Sequence, residues 1–287
     1  MRISRWTEAL LLGPFGLLLL VAVVLPAAIL VYYSFYRFVL FEPFGPATLG
    51  NYSDAFRQQL YRTLTTNTLW IAIPTTLIAL VGGYALAYFM VFGQSRFRGV
   101  LFGLVLTALL ASYLVRIFAW RTLLGESGII NTFLQKVGII DAPLEFLLYT
   151  RWTTIIAEVN TFLPFSALMF YAALSGVPPE LRGAARDLGA GPFQTLRRIT
   201  LPLTGTTILV TAAIVFFLSA GDYITPLLVG GPQTLTIGMD IASSFGQAAD
   251  YGRGAAVSFL LLFGFVLVFA VLFALMKAIR ILPRVSR

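Results

Sequence analysis

Long uncharged apolar runs alternate with short polar segments along the whole chain. A helix that crosses the hydrocarbon core needs about 20 predominantly apolar residues. Six stretches reach that length: 9–36, a run within 63–95, and runs over 99–124, 152–174, 204–229 and 254–275. The first two carry no charge, whereas the third carries Arg116, the fourth Glu158 and the fifth Asp222. The first run follows Arg2 and Arg5, is longer than a signal-peptide core and lacks a small-x-small cleavage site, so it reads as an anchor. The pattern predicts an all-α polytopic membrane protein with six transmembrane helices, residues 1–287 forming one transmembrane domain.

The connecting segments add detail. Residues 38–62 link the first two spans. Within 125–151, Ile129, Ile130, Phe133, Leu134 and Val137 share one helical face behind Ser127, which predicts a short amphipathic helix capped by that serine. Residues 230–253 are polar and Gly-rich and read as loop. Asn51-Tyr52-Ser53 matches a glycosylation acceptor, a pattern too short to carry weight. Pro74 and Pro164 each remove one helical hydrogen bond within a span, which either kinks the helix at a moving position or is offset by neighbouring groups in the bundle.

Composition narrows the chemistry. Of 287 residues, 59% are apolar and 11% charged, against roughly 25% charged in soluble domains. The absence of Cys and His excludes disulfides, thiolate- or imidazole-ligated metals and Ser-His-Asp catalysis. The two lysines, Lys136 and Lys277, lie in no phosphate-binding loop, so the chain does not hydrolyse ATP by itself and binds no cofactor of its own. The net charge of +8 reads as a topology signal and not as a nucleic-acid footprint, because basic residues gather at the ends of apolar runs. Six spans place both termini on one side. That side collects twelve basic residues against seven on the other, which makes it cytoplasmic, together with the turn 94–98 and the segment 176–203.

The segment 176–203 is the most informative. Pro178 and Pro179 end a membrane helix and suit the first turn of another. Glu180 then sits near a helix N-terminus, where a carboxylate is favoured. Small residues Gly183, Ala184 and Ala185 allow a partner to approach closely, with Arg182, Arg186 and Asp187 flanking the contact. Gly189, Gly191 and Pro192 end the element, and a second short helix from Phe193 leads through Pro202 into the fifth span. From the residues alone, a partner-gripped lever and an ordinary surface connector are equally open.

Gly183-Ala184-Ala185, three residues, Gly189, nine residues and then Ile199-x-Leu201-Pro202 resembles the EAA loop of binding-protein-dependent (type I) ABC importer permeases. Gly183 stands where that family carries Glu, and Glu180 lies one turn earlier. Tyr113–Trp120 followed by Gly128–Asn131, and Gly221–Gly231, are similar to spermidine/putrescine-type permeases. The resemblance implies a type I permease fold in a bacterial inner membrane. It also implies a second, non-identical permease subunit, two cytoplasmic ATPases that bind ATP and Mg, and an extracytoplasmic solute-binding protein. Glu180, Gly183, Ala184, Ala185, Asp187 and Gly189 would then dock the ATPase.

Ionisable groups within spans line water or pair with one another. Arg116 lies 17 residues beyond Gly99, roughly 25 Å along a straight helix, so Arg116, Glu158 and Asp222 converge on the outer half. Two accounts stand: an Arg116–Glu158 ion pair with Asp222 capping irregular backbone, or a vestibule of net charge −1 that attracts cations. In the second, Trp120, Asn160 and Tyr223, with Tyr113 and Tyr171, add cation–π and polar contacts. The expected function is the path-forming subunit of an ATP-driven importer of a cationic solute such as spermidine or putrescine. The alternatives are a permease for opines or amino-acid derivatives, an ion-coupled secondary transporter and, remotely, a membrane enzyme.

Overall fold

A computed structural model describes residues 5–39, 41–93, 96–125, 127–144, 147 and 149–278. Arg2, part of the expected turn 94–98, and the C-terminal basic cluster Arg280, Arg284 and Arg287 lie outside the described residues. In chain order the helices are α1 (Arg5–Ser34), α2 (Gly50–Arg57), α3 (Gln59–Phe92), α4 (Arg98–Leu110), α5 (Tyr113–Leu124), α6 (Ile129–Lys136) and α7 (Arg151–Ser175). They continue with α8 (Pro179–Asp187), α9 (Pro192–Thr195), α10 (Leu201–Leu203), α11 (Gly205–Gly221), α12 (Ile224–Val229), α13 (Ile237–Phe245) and α14 (Tyr251–Ala278). A short hairpin pairs β1 (Arg37–Val39) antiparallel with β2 (Glu42–Phe44), Phe38 opposite Pro43.

Among the described residues four helical stretches are long and apolar enough to cross a membrane: Gly16–Ser34 of α1, and α3, α7 and α14. Two bent pairs raise the number to six if each pair is one span, α4 with α5–α6 and α9–α10 with α11, the latter bent by 71°. The third span is therefore not the straight helix that its composition predicts. It breaks at Ala111 and Ser112, so the 25 Å rise assumed for Arg116 does not apply. The expected loop 230–253 also holds structure, a 3₁₀ turn over Pro232–Thr234 and the helix α13. Gly128, not Ser127, precedes α6, and no side chain caps that helix.

The chain divides into two units, 1–62 with 240–263, and 63–239 with 264–287. In the first unit, the Asn51 amide donates to the carbonyls of Ser34 (3.0 Å) and Tyr36 (2.8 Å), and the Tyr52 hydroxyl donates to Ser34 Oγ (2.8 Å). These bonds satisfy carbonyls that the end of α1 would otherwise leave open. They also bury Asn51. Arg253 donates to Asp240 and, at 2.8 Å, to the Tyr61 hydroxyl. Burial pushes the Asp240 carboxyl above the usual carboxylate range, against the lowering influence of Arg253.

In the second unit, Ala87 and Met90 of α3, Val105 of α4, and Ala167, Phe170 and Leu174 of α7 form one buried core. A second joins Ile117 and Leu124 of α5 to Ala157 of α7 and Val229 at the end of α12. Where α3 crosses α7, a Cβ added to Gly83 would meet Ser166 Cβ at 2.7 Å and the Ala167 nitrogen at 2.9 Å. The glycine thus sets how closely the two backbones approach, as small residues do between membrane helices.

Candidate coupling segment and transport-path residues

The segment after α7 folds as its punctuation dictates. Pro179 occupies the first turn of α8, with Glu180 beside it at the helix N-terminus. The C-terminus is a Schellman motif. Ala190 N donates to Ala185 O (2.9 Å) and Gly189 N to Arg186 O (2.8 Å), with Gly189 at φ 77°. Pro192 opens α9, and a π-helical turn over Leu196–Thr200 joins it to α10.

Of the α8 residues expected to dock a partner, Glu180, Gly183, Ala184, Asp187 and the following Gly189 are exposed, while Ala185 faces inward. Nothing lies within 4 Å of a Cβ built on Gly183, so its surface is open to a neighbour. Leu188 and Phe193 are 88% and 73% exposed and extend this surface with apolar area. Arg182 departs from expectation. It turns back onto the protein's own α3, its guanidinium carbon 3.4 Å from the Phe92 ring centroid, and does not flank an outer contact.

The charged residues of the spans each answer a local need. At the break between α4 and α5, the Arg116 guanidinium donates to the carbonyls of Ala108 and Ala111 (3.3 Å) and to Thr161 O of α7 (3.4 Å). Ala108 and Ala111 stand at the C-terminus of α4, where carbonyls lack helical donors and a cation is favoured. Among the described residues no ion pair links Arg116 to Glu158. The carbonyls of the broken helix, not the carboxylate, take the guanidinium.

Glu158 is 1% exposed and accepts a hydrogen bond from the Ser219 hydroxyl of α11. Its side chain is sealed from solvent, and Oε1 has no hydrogen-bond partner among the described residues. Asp222 directly follows α11. Its Oδ1 accepts from the backbone N–H groups of Ile224 (2.9 Å) and Thr225 (3.3 Å), which caps the start of α12. Its Oδ2 accepts from the Tyr113 hydroxyl of α5 and the Thr225 hydroxyl, each at 2.5 Å.

Trp120 and Asn160 come together, Trp120 Nε1 donating to Asn160 Oδ1 across a long 3.4 Å. Asn160 and Tyr223 are exposed, and Asp222, Arg116 and Trp120 are partly so. Tyr171 does not join them, since its ring packs on Phe102 of α4 at 4.9 Å. Ser219 and Thr225, which bond Glu158 and Asp222, are not singled out by any charge or motif in the sequence. Their signal is spacing, for each lies three residues from Asp222 on either side.

The profile of the family described as binding-protein-dependent transport system inner membrane component matches residues 43–284. The spermidine/putrescine transport system permease protein PotB of Haemophilus influenzae is 35% identical over 213 residues, 74% of each chain. PotB of Escherichia coli K12 is 33% identical over 211 residues, 74% of this chain and 76% of its own. The sulfoquinovosyl glycerol transport system permease protein SmoG of Agrobacterium fabrum is 30% identical over 276 residues, 90% of this chain and 88% of its own. Among solved structures, a chain of a bacterial alginate ABC transporter in complex with its alginate pentasaccharide-bound periplasmic protein superposes with a TM-score of 0.79. The identity is 20%, and 96% of this chain and 95% of the other are covered. A chain of the inward-facing MetNI methionine ABC transporter superposes with a TM-score of 0.54 at 18% identity, covering 80% of this chain and all but 1% of its own length (99%). The distant superpositions agree on the fold, and the profile match across most of the sequence makes this chain a member of the binding-protein-dependent transport system inner membrane components, the permease subunits of type I ABC importers.

Proposed function

We propose that this permease forms half of the translocation path for a small cationic solute of the spermidine and putrescine class. The observation that carries this reading is the 33–35% identity to polyamine permeases over about three quarters of the chain. The second half of the path is a related but different permease subunit. Two cytoplasmic ATPases, which bind ATP and Mg, grip the exposed face of α8 at Glu180, Gly183, Ala184, Asp187 and Gly189, with Ala185 setting the packing beneath. An external solute-binding protein delivers cargo. Both termini and α8 face the cytoplasm, as the basic-residue asymmetry supports. ATP binding closes the ATPase dimer, draws the α8 helices together and turns the path outward, and hydrolysis reopens it inward. This chain supplies path and lever and no chemical step.

Trp120, Asn160 and Tyr223 offer a cation two aromatic faces and an amide, and Asp222, whose carboxylate accepts four hydrogen bonds within the protein, fixes α12 against α5 beside them. Arg116 and Glu158 hold the helices that present them. The test is uptake of labelled spermidine by proteoliposomes holding the two permeases and the ATPases, with binding protein and ATP supplied. ATP-dependent uptake is expected. Uptake without the ATPases, or uptake of an uncharged solute alone, overturns the reading. The 30% identity to a sulfoquinovosyl glycerol permease over most of the chain supports a second reading, a permease of the same architecture for another small solute.

A further inference from the structure

A coupling helix moves the spans to which it is covalently joined, here α7 before it and α9–α11 after it. The structure ties it to a third. Tyr84, Tyr88 and Phe92 recur every four residues on the last turns of α3 and so share one face. The ladder reaches α7, the entry to α11 and α8 in turn. The Tyr84 ring packs edge-on against Phe170 of α7 at 5.1 Å, and its hydroxyl lies 3.1 Å from Thr204 Oγ1, where the coupling segment enters α11. Tyr88 and Phe92 pack edge to face at 4.9 Å. The Arg182 guanidinium of α8 lies over this pair, its central carbon 3.4 Å from the Phe92 centroid and 5.9 Å from that of Tyr88.

The chemistry of this last contact is specific. Arg182 Nε is buried and makes no hydrogen bond among the described residues. Among the described residues no carboxylate pairs with Arg182, and its guanidinium rests on the two rings. Such a contact strengthens as it is desolvated, and all three side chains here are partly buried. It also binds a helix of only nine residues, too short to be stable in isolation, to the end of a 34-residue span.

We infer that Arg182 is a positioning residue that locks α8 to α3, so that α3 travels with the coupling helix as a third arm of the lever during transport. This rests on the importer reading above. The chain has no cysteine, which permits a direct test in the assembled transporter. Arg182→Met keeps the apolar length of the side chain and removes the cation. The ATPases are expected to co-purify as with the unaltered chain, while cargo moved per ATP hydrolysed falls about three- to tenfold. Phe92→Cys with Arg182→Cys, joined by a short thiol-to-thiol cross-linker, replaces the stack by a covalent tie. Uptake is expected to be low before cross-linking and restored after it. If α8 and α3 separate during the cycle, cross-linking abolishes uptake, and that result overturns the inference. An unchanged ratio of cargo to ATP in Arg182→Met overturns it as well. The unaltered complex is measured in parallel, and its failure to take up cargo with ATP refutes the importer reading, separately from this one.

Discussion

Asp222 offers the sharpest test of how charge is used in this membrane domain. Its carboxylate accepts four hydrogen bonds, two from backbone N–H groups of α12 and two from the hydroxyls of Tyr113 and Thr225. Asp222→Asn keeps an oxygen for the two backbone donors but removes the charge that strengthens them. It also turns an NH₂ group toward two hydroxyls. Hydrogen bonds to a charged group contribute about 1.5–3 kcal/mol each, neutral ones about 1. The hydroxyls can rotate to accept from the new amide, so the net loss is roughly 2 kcal/mol, less than the four bonds taken separately. Because Tyr113 belongs to α5, part of that loss falls on the packing of α5 against α12. Tyr113→Phe removes one of the same bonds, so the two substitutions together should cost less than their sum. The assay is uptake by reconstituted transporter across a range of cargo concentrations, alongside thermal unfolding of the complex in nanodiscs. The capping role predicts a lower maximal rate and a lower unfolding temperature for Asp222→Asn, non-additive with Tyr113→Phe. A raised KM with unchanged maximal rate and unchanged thermal stability would refute it and assign the carboxylate to cargo attraction.

Other outcomes follow from the same structure. Glu158→Gln keeps an acceptor for Ser219 in a position sealed from solvent, so the concentration dependence of uptake should not change, and a raised KM would place Glu158 in the path. Gly189→Ala meets no neighbour but must hold φ 77°, which costs about 1–2 kcal/mol; weaker co-purification of the ATPases, restored by Gly189→Asn, is the expected result. Gly83→Ala places a methyl group against Ser166 and Ala167 and should lower the unfolding temperature of the complex by an overpacking cost of about 1–3 kcal/mol. Burial raises Asp240 above its unfolded value of about 3.9, so its contribution favours the fold below that pH and is lost as pH rises through the native value. Hydrogen-exchange protection of α13, corrected for intrinsic rates, should therefore decline as pH is raised from about 4, and flat or increasing protection would contradict the burial argument.

The six apolar runs were legible because span length is imposed by the bilayer and not by any partner. The helix ends of the 176–203 segment were legible because proline and glycine act locally, and Gly189 ends α8 as its residue type predicts. The break in the third span was hidden. Ala111 and Ser112 are not helix breakers, and what stabilises the break is a guanidinium four residues further on. Pairing Arg116 with Glu158 assumed that opposite side-chain charges find each other first. Main-chain carbonyls at a helix end compete for the same donors, and they are invisible in sequence. The helix α13 was hidden for a plainer reason, since glycine-rich composition around it suggested loop while Ile237, Met239, Ile241 and Phe245 within it supplied the apolar content of a helix.

The two interruptions of the spans are complementary in sign. A positive side chain sits at the end of α4, where exposed carbonyls make the local field negative, and a negative one sits at the start of α12, where exposed amides make it positive. Each charge takes over bonding that the adjoining main chain gave up, which a membrane domain must supply from within wherever water is absent. An ionised residue in an otherwise greasy stretch thus marks a fault line in the polypeptide as readily as it marks a passenger's route, and surveys of such residues in transporters should ask which backbone they mend before asking which solute they greet.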